Sequence, residues 1–155
     1  MKKLLLIIIS IGFIGSLKAQ PTSTNLTFNH LALSVKDVNR SAEFYNKVLS
    51  LTEITNRAKK TGMRWLSIGG NTELHLIKME NTTTLIDTAI HFAFATPNFD
   101  AFVKRINEMN IAFENSEGKP QTFNVRADGV KQIYFQDPDG YWIEVNNIGE
   151  KKRLK

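Results

Sequence analysis

The chain contains no cysteine. That absence excludes disulfides, thiol catalysis and cysteine-ligated metal, and it rules out a lipid anchor carried on cysteine. It fits an oxidising compartment without requiring one. The apolar run near the N-terminus falls short of the about 20 residues that a membrane-spanning helix needs. No heptad pattern and no low-complexity segment occurs. Basic residues exceed acidic ones, 20 to 15. No basic stripe with interleaved aromatics accompanies that excess, so nucleic-acid binding is not favoured.

What remains is an ordinary globular composition. The 155 residues are 42% hydrophobic and 23% charged, enough for one domain with a sizeable core. The first residues stand apart. Lys2 and Lys3 precede an apolar stretch from Leu4 to Ile9 that continues to Ile14, followed by Gly15-Ser16-Leu17-Lys18-Ala19-Gln20. A basic start, a short apolar middle and a small residue near the end describe a secretory signal peptide. Residues 1–19 are therefore expected to be cleaved after Ala19, leaving an exported protein, periplasmic or secreted, with no stable membrane anchor. A leader over 20–26, one domain over 27–147 and a basic tail over 148–155 complete the organisation.

Histidine is scarce, with three in the chain. All three fall in β-type runs: Asn29-His30-Leu31-Ala32-Leu33, Leu74-His75-Leu76 and Ile90-His91-Phe92-Ala93-Phe94. A fourth run, Tyr141-Trp142-Ile143-Glu144-Val145, carries a glutamate at the matching place. Imidazole plus carboxylate is a ligand set for Zn²⁺, Ni²⁺, Co²⁺, Mn²⁺ or Fe²⁺. A lone strand histidine is ordinarily a half-core or surface residue. Here an internal repeat ties the three together.

His30-Leu31-Ala32-Leu33-Ser34-Val35 aligns with His91-Phe92-Ala93-Phe94-Ala95-Thr96. Each run leads into a helical pattern: Val38, Phe44, Val48 and Leu49 in the first half, Phe99, Phe102, Val103 and Ile106 in the second. Asp37 or Asn39 can cap the first helix, and Asn98 or Asp100 the second. Three β-type segments follow in each half. The first half has Leu51–Arg57, Met63–Ile68 and Glu73–Lys78. The second has Ile111–Glu114, Val130–Phe135 and Tyr141–Asn146, with Asp137-Pro138-Asp139-Gly140 as the turn before the last. The polar segment from Glu80 to Thr88 links the halves, and Asn115–Gly129 reads as a long loop. Each half, 27–79 and 89–147, is thus β-α-β-β-β.

In this repeat His30 pairs with His91, and His75 with Glu144. A pseudo-two-fold axis brings equivalent positions together, so two distant pairs can form one metal site. Strand parity supports this. His30, Ala32 and Ser34 share one face, as do His91, Ala93 and Ala95; the large residues take the other. The histidine face is lined by small side chains that leave room for a metal and a ligand. Glu73 shares the face of His75 and competes with it as a ligand.

These motifs resemble the vicinal oxygen chelate superfamily, also called the glyoxalase/bleomycin-resistance/dioxygenase family. The carrying residues are 29–35, Ser41-Ala42-Glu43-Phe44-Tyr45-Asn46-Lys47-Val48-Leu49, and Phe135-Gln136-Asp137-Pro138-Asp139-Gly140-Tyr141-Trp142-Ile143-Glu144-Val145. The last motif is most similar to glyoxalase I. The resemblance implies an α+β fold in which two paired β-α-β-β-β modules form a cup around one divalent metal, held by His30, His75, His91 and Glu144. It also implies a small-molecule substrate that chelates through two oxygens, an enediolate-type intermediate, Glu144 as proton shuttle, and a homodimer. Two positions depart from glyoxalase I: His75 stands where an acidic residue is usual, and Ser34 where an arginine helps hold glutathione. Rival readings are an Fe²⁺ dioxygenase using the His30, His91 and Glu144 triad, a metal-free binding protein of the bleomycin-resistance kind, and metal-assisted addition of a thiol to an antibiotic.

Overall fold

The computed structural model describes residues 26–80 and 87–148. The expected signal peptide, most of the leader, the middle of the polar link and most of the basic tail lie outside them. Two modules follow one another. The first contains β1 (His30–Val35), α1 (Val38–Leu49), β2 (Thr52–Ile54), β3 (Met63–Gly69) and β4 (Thr72–Lys78); the second contains β5 (His91–Ala95), α2 (Phe99–Glu108), β6 (Asn124–Val125), β7 (Lys131–Gln136) and β8 (Trp142–Asn146). Each forms a four-stranded mixed sheet, in order β1-β4-β3-β2 and β5-β8-β7-β6. The chain is α+β with two β-α-β-β-β modules. Among the described residues no helix is long and apolar enough to cross a membrane.

Local chemistry explains the helices. Asp37 is the cap of α1, its Oδ1 accepting from the backbone N–H groups of Asn39 and Arg40 at 2.8 and 3.2 Å. Asn98 caps α2 without a side-chain bond. Ala42, Tyr45 and Val48 of α1 are buried, as are Phe99 and Ile106 of α2. They join Leu33, Val35, Leu66, Leu74, Leu76, Ile133, Phe135, Ile143 and Val145 in one core shared by both modules.

That core sits on the helix-bearing faces, where the modules meet. Phe44 of α1 lies 6.4 Å from the ring of Phe135. Tyr45 donates its O–H to Asp137 Oδ2 at 2.7 Å, Ser41 donates to Asp139 Oδ2 at 2.8 Å, and Tyr141 donates to the Ser34 carbonyl at 3.0 Å. The Asp137–Gly140 turn is therefore a latch between the halves as well as a turn. With the helix faces joined, the opposite faces are left outward: His30, Ala32, His91, Ala93 and Ala95 are all exposed.

One expected strand is corrected. Ile111–Glu114 does not form a strand; Glu114 alone bridges to Tyr134 and to Pro120. The chain turns away at Asn115, whose Oδ1 accepts from the N–H groups of Glu117 and Lys119 at 3.0 and 2.9 Å. The short β6, inside the segment expected to be loop, takes the place beside β7.

Candidate metal centre

The ladder register makes the two halves equivalent residue by residue. β1 runs parallel to β4 with Ala32 opposite His75, and β5 runs parallel to β8 with Ala93 opposite Glu144. His30 and His91 therefore hold the same place, as do His75 and Glu144. Glu73 stands opposite His30, two residues before His75, at the place Trp142 holds opposite His91.

In the first half-site the rings of His30 and His75 stack at 4.3 Å, and His75 stacks in turn on Trp65 at 4.0 Å. His75 is buried while His30 is exposed. Glu73 Oε2 lies 2.9 Å from His75 Nε2. Arg57 reaches both Glu73 oxygens, at 2.6 and 2.9 Å, with its guanidinium 4.8 Å over the Trp65 ring. The hydrogen bond with His75 and then that with Arg57 hold the Glu73 carboxyl below its ordinary range. An open hollow of about 910 Å³, lined in part by Asn29, Arg57, Thr72 and Glu73, adjoins this half.

In the second half-site His91 Nε2 lies 3.3 Å from Glu144 Oε2. Glu144 is buried, and both its oxygens are held. Tyr134 donates its O–H to Oε2 at 2.8 Å and Asn146 Nδ2 donates to Oε1 at 2.6 Å. Gln132 Nε2 donates to the Tyr134 oxygen at 2.8 Å. Burial, then the bond to Glu144, pushes the Tyr134 hydroxyl up to about 12, so it remains a donor at any physiological pH.

The chain brings together His30 with His75, and His91 with Glu144. It does not bring the two pairs together: among the described residues no three histidine or acidic side chains converge so as to hold a metal. The donor chemistry nonetheless suits one. Two tetrahedral ligands at about 2.0–2.2 Å from Zn²⁺ stand about 3.3–3.6 Å apart, and the His91–Glu144 distance of 3.3 Å meets that spacing. The His30 and His75 rings lie nearly parallel, 15° apart, so both imidazoles belong to one side of the first sheet.

The residues that hold these side chains lie outside the candidate ligand set. Trp65 faces His75 and Tyr134 faces Glu144 across equivalent ladder positions. Each lies ten residues before its partner, a spacing visible in the repeat. Asn146, Gln132 and Arg57 carry no such mark.

Fold and half-sites define a paired-module protein whose cup-lining strands carry histidine and carboxylate. The chain belongs to the Glyoxalase/Bleomycin resistance protein/Dioxygenase superfamily, whose family model matches residues 27–145. It is 28% identical over 133 residues to the metallothiol transferase FosB of Staphylococcus epidermidis, covering 82% of this chain and 85% of that one. It is 28% identical over 155 residues to the lactoylglutathione lyase of Pseudomonas putida, covering 83% and 88%. Among solved structures, oxidase ChaP-H2 matches with a TM-score of 0.65 at 22% identity, covering 79% of this chain and 94% of that one.

Proposed function

We propose that this protein is an exported, divalent-metal-dependent lyase or isomerase of glyoxalase I type, acting on a small substrate that chelates through two oxygens. The observation that carries the reading is the pair of equivalent half-sites, each on the uncovered face of its sheet. The site is completed between two copies, the first module of one chain facing the second module of the other. The free edges of β1 and β5 and the exposed Leu26, Phe28 and Ile90 leading into them favour such a homodimer, since open edges and apolar side chains are otherwise a liability.

His30, His75, His91 and Glu144 would hold the divalent ion, which when bound would supply Lewis-acid polarisation of the substrate oxygens. Glu144 takes the proton from the carbon beside a carbonyl and returns it to the neighbouring carbon. Tyr134 and Asn146 fix the direction of its two oxygens. The small residues Ala32, Ala93 and Ala95 leave the floor open to substrate.

A second reading is an Fe²⁺ oxygenase on the His30, His91 and Glu144 triad, favoured by the engagement of His75 Nε2 with Glu73. Metal analysis of protein from its native host separates them. Zn²⁺ or Ni²⁺ is expected; iron with oxygen uptake on catechols installs the oxygenase, and no stoichiometric metal overturns both. Export rests on residues 1–20. N-terminal sequencing of the mature protein should begin at Gln20, and full-length cytoplasmic protein would refute it.

A further inference from the structure

The hydrogen bonds of the three histidines decide which ring nitrogen each leaves bare. A neutral imidazole has one N–H and one lone pair, so a nitrogen bonded to an acceptor carries the hydrogen. His30 Nδ1 lies 2.7 Å from the amide oxygen of Asn29, and His91 Nδ1 lies 2.8 Å from the Thr88 carbonyl. Both histidines thus hold hydrogen on Nδ1 and keep Nε2 bare. This agrees with their equivalence in the repeat; the hydrogen bond of His91 is the one to Thr88, while its Nε2 stands 3.3 Å from Glu144 Oε2, an oxygen that already accepts from Tyr134.

His75 is reversed. Its Nε2 faces the Glu73 carboxylate at 2.9 Å, so the hydrogen is on Nε2 and Nδ1 is bare. The surroundings enforce this orientation. The ring is stacked between His30 and Trp65, and Glu73 is clamped through both oxygens by Arg57.

Resting on the metal reading above, we propose that Glu73, braced by Arg57, is a positioning residue that holds His75 as the Nε2–H tautomer. His75 then meets the metal through Nδ1, while His30 and His91 meet it through Nε2. A carboxylate accepting from the one ring N–H of a ligating histidine fixes the ring and raises its basicity. Glu73 and His75 thereby cease to compete for one role: His75 is the ligand, and Glu73 acts through it.

The test begins with metal-free full chain, ¹⁵N-labelled at histidine and held above the pH of histidine titration. Long-range proton–nitrogen correlation should show a protonated Nε2 and bare Nδ1 for His75, and the reverse for His30 and His91. Zn²⁺ titration should then show about 10–100-fold weaker binding for Glu73→Ala, partly restored in Glu73→Gln, whose amide oxygen still accepts from Nε2–H. X-ray absorption at the zinc edge should count the same number of imidazoles in all three proteins. Arg57→Gln, which leaves Glu73 in place, should weaken binding less than Glu73→Ala. The His30 and His91 signals report whether each variant is folded. A bare Nε2 on His75 with normal Zn²⁺ binding sinks this assignment alone. So does loss of an oxygen ligand in Glu73→Ala with the histidine signals unchanged, which makes Glu73 the ligand. A wild type that binds no Zn²⁺ sinks the metal reading and this assignment together.

Discussion

The proposed function gives Glu144 two roles, metal ligand and proton shuttle, and one substitution separates them. Glu144→Gln keeps an oxygen able to coordinate and should retain more metal than Glu144→Ala, but an amide cannot accept the proton at neutral pH. Turnover should be abolished in both while metal content differs, which parallel activity and metal measurements would show. Equal turnover of Glu144→Gln and wild type would leave Glu144 a fixed ligand only. Asp137 offers a test of the latch. Burial raises its carboxyl above the ordinary range, outweighing the bonds from Tyr45, Tyr141 and Asp139 that lower it. Its contribution to stability is therefore fully present below the ordinary aspartate value and lost as pH rises through the raised one. Urea midpoints of Asp137→Asn should gain on wild type as pH rises across that window; the opposite trend would mean a stabilised carboxylate. Tyr45→Phe removes a buried donor to Asp137 and should cost about 1–3 kcal/mol at neutral pH.

At the scale of the element, the two helices are capped unequally. Asp37 accepts two backbone N–H bonds, and those from Arg40 and then Asn39 lower its carboxyl. Asp37→Ala should lower the melting temperature through loss of the cap, whereas Asn98→Ala, losing no side-chain bond, should lower it less in the same thermal melts. Asp37 and Asn39 were equivalent candidates by residue type, and only backbone geometry separates them. The strands divide the same way. Period-two alternation makes β1 and β5 readable, because one face of each turns large apolar side chains to the shared core and the other is lined by small residues. Ile111–Glu114 has the same apolar flavour, yet Asn115 turns the backbone after the two isolated bridges of Glu114. A side chain satisfying loop N–H groups leaves no periodic signal.

The whole molecule poses the question of which modules share a cup. If the cup forms between chains, His30→Ala and His91→Ala homodimers are both inactive, since every site lacks one ligand. Mixing and refolding the two variants yields heterodimers in which one cup unites the intact His30 module with the intact His91 module. About a quarter of the sites should recover when the chains pair at random in a two-fold dimer. No recovery of activity or metal, with light scattering still showing dimers, would place the pairing within one chain.

Composition, the internal repeat and strand parity determined the α+β module, its duplication and the equivalence of His75 with Glu144, because these depend on order along the chain and on which way a side chain leaves a strand. Tertiary structure alone decided that the modules join through their helix faces, since Phe44 against Phe135 and Tyr45 against Asp137 are contacts between distant residues with no shared period. It alone turned the histidine faces outward in separate pairs. It alone revealed the Arg57–Glu73 brace and the Tyr134–Asn146 grip on Glu144, because a hydrogen bond to a ligand depends on distance and direction across strands.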